Sequence, residues 1–142
     1  MAERNGRALA VGGLLGAMVW LGVGLAGLLE PAWLLGQAGI ELRGVDAHNE
    51  ARAIYGGLML ALGGVQAALA LRDGWRRIGI ALWTVLLAGL VTGRLWSLIV
   101  DGWPAGVARL LLAVEVAGLL MGAVLWAASR PARGATRSNH RL

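Results

Sequence analysis

Cysteine, lysine and phenylalanine are all missing from this chain of 142 residues. Without cysteine there is no disulfide, thiolate metal site or cysteine nucleophile, and the redox compartment leaves no trace. Without lysine, the lysine-bearing glycine loop that cradles nucleotide phosphates is excluded. Charge of either sign is scarce: 15% of residues are charged, against about 25% in a soluble domain. Apolar residues make up 58% of the chain and its mean hydropathy is +0.67. This composition excludes a disordered chain, a coiled coil and an ordinary soluble enzyme. The 23 glycines suit transmembrane helices, where small residues let backbones approach closely. Even so, the formal net charge is +5, so the position of that charge has to be explained.

A hydrocarbon core of about 30 Å takes roughly 20 apolar residues to cross as a helix. Four runs reach that length, at 8–29, 51–71, 78–100 and 105–128. The chain therefore reads as an all-α, integral membrane four-helix bundle. A short segment 1–7 precedes the four-span domain 8–128, and a basic tail 129–142, expected to be disordered, follows it. The first run follows Arg4 and Arg7 as a signal peptide would. Its apolar stretch is too long for one, however, and its Leu-Leu-Glu-Pro end lacks a small-x-small cleavage pattern, so it reads as a retained anchor.

The arginines give the orientation. Arg4, Arg7, Arg72, Arg76, Arg77, Arg130, Arg133, Arg137 and Arg141 flank one side of the spans, and only Arg43 lies in the opposite loops. The positive-inside rule then places both termini in the cytoplasm. Trp33 and Trp103 serve as interface anchors outside, Trp75 and Trp126 inside. Most of the net charge is thus a topology signal, and no nucleic-acid partner is expected from the basic tail.

Glycines suggest how the spans pack. Gly12/Gly16, Gly89/Gly93 and Gly118/Gly122 are spaced as GxxxG pairs, and Gly56, Gly57, Gly63 and Gly64 line a face of span two. Such faces allow close helix crossing, and homo-oligomerisation through one of them is open.

Few polar residues then remain. His48, Arg52, Tyr55 and Met59 share a face at α-helical spacing, with Asn49 and Glu50 beside them. Asp46, Asn49 and Glu50 also suit the cap of span two. Arg94, Ser97 and Asp101 share a face of span three, while span four carries Arg109 and Glu115. From the outer ends of their runs, Arg94 lies about 9 Å deep and Glu115 about 15 Å. Ionisable groups at such depth are costly unless paired or neutral, and face the bundle interior. A buried Arg94–Glu115 pair is expected, assisted by Tyr55 and Ser97; a protonated Glu115 is the other solution. Arg52 and Arg109 can instead snorkel to the outer interface, and Asp101 can simply end span three. The two histidines, His48 and His140, lie in a loop and the tail, so no bis-histidine haem or metal site is expected, and no cofactor.

The segments Asn49-Glu50-Ala51-Arg52-Ala53-Ile54-Tyr55-Gly56-Gly57 and Gly93-Arg94-Leu95-Trp96-Ser97-Leu98-Ile99-Val100-Asp101-Gly102 resemble the signature stretches of a small bacterial membrane family, domain of unknown function 4345. Glu30-Pro31 and Glu115 fit the same pattern, and only the tails fall outside the resemblance. A leucine is usual in that family where Ala51 stands here. The resemblance implies a four-helix protein of the bacterial inner membrane and no established activity. It maps the motif onto Asn49, Glu50, Arg52, Tyr55, Gly56, Gly57, Arg94, Ser97, Asp101 and Glu115. DoxX-like membrane proteins are a looser analogy in size and span number alone.

Three functions fit these residues. The first is a non-enzymatic bundle binding a membrane lipid, a quinone-like molecule or a membrane partner at an outward-facing polar pocket. The alternative is an enzyme acting on a lipid or isoprenoid headgroup, with Glu50, Asp101 or Glu115 as acid–base and Arg52 or Arg94 holding an anion. The third is an oligomeric transporter or channel, since no continuous polar path crosses a single chain.

Overall fold

A computed structural model describes residues 2–129. The basic tail from Arg130 onward, with His140, lies outside the described residues. Four helices are long and apolar enough to cross a membrane. The first is α1, Ala2–Leu29, which starts before the apolar run does. It stops where Pro31 forces the preceding residue out of helical geometry: Glu30 sits at φ −132°, ψ 62°. Pro31 itself then opens a short helix, α2 (Pro31–Gly36), at the position where its missing N–H costs nothing.

The second candidate span is longer than the expected 51–71, running without a break over Gly44–Leu71. It comprises α3 (Gly44–Ala51), a π-helical stretch Arg52–Leu58 and α4 (Met59–Leu71). The residue flanking its start is Arg43, so Asn49 and Glu50 lie within the helix and do not cap it. A 3₁₀ turn, Asp73–Trp75, leads into α5, Arg76–Val100. Gly102, at φ +89°, takes the left-handed conformation that ends a helix, and Trp103-Pro104 follow it. The last candidate span, α6, covers Val107–Ala128.

The bundle consists of two pairs. Helix α1 packs along α4 and the π-helical stretch, α5 packs along α6, and α5 touches both α1 and α4. At the centre Trp20 and Trp83 meet edge to face, with ring centroids 6.0 Å apart, beside Leu87, Met59, Leu62 and Leu119. The outer surfaces are apolar: Leu120 is 62% exposed and Val124 67%. An apolar face of that extent is stable against lipid and a liability in water.

Two ends can be told apart. The loop end carries α2, α3 and the α5–α6 connection. The turn end carries the start of α1 and the Asp73–Trp75 turn. At the turn end Arg76 donates to the Ala70 carbonyl (3.0 Å) and pairs with Asp73, and Arg77 lies 5.2 Å over the Trp126 ring.

Candidate functional site

The deepest charged groups form a pair. Arg94 Nε donates to Glu115 Oε2 at 2.5 Å, and Arg94 Nη2 donates to Glu115 Oε1 at 2.8 Å. This two-pronged geometry matches the planar guanidinium fork to the carboxylate, the strongest form such a pair takes. Because α6 begins at Val107, Glu115 lies about 12 Å from the start of its helix and Arg94 about 9 Å from the end of α5. The two groups are therefore closer in depth than the apolar runs imply. The carboxylate side chain is 11% exposed and the guanidinium side chain 30%. Arg94 has five N–H groups and Glu115 engages only Nε–H and one on Nη2. Both Nη1 protons and the second Nη2 proton have no acceptor among the described residues.

The expected helpers do other things. Ser97 donates its hydroxyl to Asp101 Oδ2 (2.9 Å), one turn further along α5 and away from the pair. Tyr55 stands on the other half of the bundle, where its backbone carbonyl faces Gly27 of α1. The expected His48–Arg52–Tyr55–Met59 face does not survive either, because i→i+5 bonding widens the turn between Arg52 and Leu58 and rotates the residues beyond it. Met59 packs against the central tryptophans, Tyr55 is exposed, and Arg52 reaches across to α1, donating from Nε to the Leu28 carbonyl (3.1 Å). The single polar cluster expected from the sequence is therefore two groups of residues. Arg94, Ser97, Asp101 and Glu115 lie on α5 and α6. Asn49, Glu50, Arg52 and Tyr55 lie beside α1 and α2.

The second group borders a shallow, open hollow lined by Gly44, Val45, Asp46, His48, Asn49 and Arg52. His48 Nδ1 is held to the Gly44 carbonyl at 2.9 Å. Arg109 is exposed at the start of α6. Among the described residues, no three of His, Asp and Glu gather as a metal site would require.

The glycines divide in the same way. At Gly118 an added Cβ would lie 2.8 Å from Leu87 Cδ1, and at Gly122 2.5 Å from Thr84 Oγ1. Gly56 would meet Leu28 Cα at 3.0 Å. The close contacts expected at Gly89 and Gly93 are not made: nothing lies within 4 Å, because that face of α5 turns out of the bundle. Gly57 and Gly64 are likewise open, with only the Arg52 carbonyl 3.9 Å from Gly57. The expected pair Gly12/Gly16 is closely approached, by Leu125 and Trp83, and so are Gly24 and Gly27, which belong to none of the expected GxxxG pairs. A Cβ at Gly24 would lie 2.7 Å from the Leu60 backbone N, and one at Gly27 would run into the Tyr55 carbonyl. Their three-residue spacing at the end of an apolar run was the available signal.

The family model for a domain of unknown function (DUF4345) matches residues 8–128, and the chain belongs to this family. No curated protein and no solved structure matches the chain. The looser likeness to DoxX-like proteins thus finds no match.

Proposed function

We propose, for this four-span member of its family, a non-enzymatic bundle of the bacterial inner membrane that holds an amphiphile at Arg94. The amphiphile is a lipid or a quinone-like molecule, gripped by hydrogen bonds. One observation carries the reading: a guanidinium about 9 Å inside its helix end, partly exposed, with three of its five N–H groups unused. Hydrocarbon offers such donors nothing, and an unmet polar group there costs several kcal/mol. A ligand bearing an acceptor supplies what the protein leaves open. The arginine asymmetry supports the orientation that turns this site outward, with both termini cytoplasmic.

Catalysis fits the geometry less well. Both oxygens of Glu115 are engaged by Arg94, Asp101 accepts from Ser97, and Glu50 stands on the other half of the bundle. A transport path is also poorly served: among the described residues the other buried polar side chain, Gln66, lies level with Gly79, about 22 Å along α5 from Arg94.

Native mass spectrometry of gently solubilised protein tests the reading. The comparison is between the wild type and the paired replacement Arg94→Leu/Glu115→Leu, which keeps the volume and removes both charges. A discrete adduct is expected on the wild type and not on the variant. Bulk lipid in equal proportion on both would remove the basis for a ligand at Arg94.

A further inference from the structure

Resting on that reading, we infer that Arg94 takes a neutral carbonyl oxygen, of an ester or a quinone, in preference to a phosphate or carboxylate. Charge is the first reason. Glu115 already neutralises Arg94 through two hydrogen bonds, so the pair as a unit has no net charge to offer an anion. Asp101, the residue that ends α5, stands two turns above Arg94 and in line with it, between the pair and the loop end. An anion entering from that side meets this carboxylate first. Arg109 does not offset it, because six residues before Glu115 its side chain leaves α6 in a different direction. Arg52 is occupied at the Leu28 carbonyl, on the α1 side.

Hydrogen-bonding sense is the second reason. The unused groups on Arg94 are all donors, so the ligand must accept. A carbonyl oxygen does so without bringing a charge into a low-dielectric site, where an uncompensated ion is far more costly than a paired neutral dipole. Depth is the third. Phosphates lie in the polar layer outside the hydrocarbon core, whereas the pair sits about 9–12 Å inside the helix ends. The wall beside it is apolar, with Leu90 and Leu98 one turn to either side of Arg94 and Leu111 one turn before Glu115. Leu90 is 40% exposed and Leu111 37%, a surface for the ligand's hydrocarbon part.

The test uses the full chain in maltoside micelles, with retention of each probe read by native mass spectrometry on the wild type and on Arg94→Leu/Glu115→Leu. The probes are ester-linked phosphatidylcholine, its ether-linked analogue lacking both carbonyls, a short-chain ubiquinone, ether-linked phosphatidylglycerol and oleate. At least one carbonyl probe is expected to bind the wild type about tenfold better than the ether-linked phosphatidylcholine, and to lose that advantage in the variant. Preference for the ester alone identifies a lipid source, and preference for the ubiquinone alone a quinone source. If phosphatidylglycerol or oleate binds more tightly than either carbonyl probe, and does so only with Arg94 present, the carbonyl assignment is overturned while the binding site stands. If no probe separates wild type from variant, the site itself is overturned.

Discussion

The two halves of this bundle hold together by different means. Along α1 and the second long helix, contact is made largely by backbone: at Gly24, Gly27 and Gly56 main chain meets main chain, while Gly63 takes the Leu21 side chain. Along α5 and α6, glycines admit side chains instead, Gly118 taking Leu87 and Gly122 taking Thr84, and the loop-end half is tied by the Arg94–Glu115 pair. In lipid no hydrophobic force drives helices together, so packing and polar bonds must do it. A backbone crossing has no room to vary. A charged pair has spare donors and a partly exposed side. The difference indicates which half is framework and which half can carry a ligand.

The comparison breaks most readily at the pair. Arg94→Ala leaves Glu115 buried without its partner, and a loss of about 3–5 kcal/mol is expected. The paired leucine replacement should recover most of it, since apolar substitutes for a buried ion pair are often neutral or stabilising. Thermal unfolding in detergent, followed by circular dichroism, reads both. If the double variant is as unstable as the single one, the charges are structural framework after all and the contrast between halves is wrong.

Next comes the backbone crossing. Gly27→Ala drives a methyl into the Tyr55 carbonyl, an obstacle with no rotamer through which to yield. Overpacking costs about 1–3 kcal/mol, and this position belongs at the upper end of that range. Gly56→Ala, meeting Leu28 at 3.0 Å, should cost less. Melting temperatures ordered wild type, Gly56→Ala, Gly27→Ala would support a rigid crossing. A Gly27→Ala protein as stable as wild type would show that α1 can slide.

The pair was legible in the sequence, and so were Gly56 and Gly63 on one side of the crossing; Gly24 and Gly27 on the α1 side were not, for a physical reason. Arg94 and Glu115 are charged residues at similar depth within long apolar runs, so the cost of burial alone points each to the other. Four spans follow equally directly from run length. Which face a residue occupies depends on cumulative rotation, and the π-helical stretch from Arg52 to Leu58 alters that rotation midway along a span. The expected grouping of Arg52 and Tyr55 with Arg94 failed because this stretch packs along α1, where Arg52 bonds the Leu28 carbonyl. Glycine spacing misled at Gly89 and Gly93 because GxxxG records that a helix could be approached, not that anything approaches it.

Between the two halves stands Gln66, 1% exposed, with neither its carboxamide nitrogen nor its oxygen hydrogen-bonded. It lies among Gly13 of α1, Ala70 of α4 and Gly79 of α5. Replacing it by leucine removes both orphaned atoms, and a gain of about 1–3 kcal/mol is expected. A loss in the same melting experiment would mean that Gln66 holds a partner such as an internal water, and that the seam between the halves is polar by design.

The smallest effect is expected where the α5 glycines face outward. An added methyl at Gly89 meets nothing within 4 Å. Alanine lowers the conformational entropy of the unfolded segment, so Gly89→Ala should stabilise by about 0.5–1 kcal/mol. The prediction separates two readings of the α5–α6 half that the single chain leaves equal. If this face meets only lipid, the methyl is accommodated, and the mass of the detergent-solubilised particle is unchanged. If stability falls and the particle becomes smaller, a second copy covers Gly89 and Gly93, and backbone crossing holds both halves, one within the chain and one between chains.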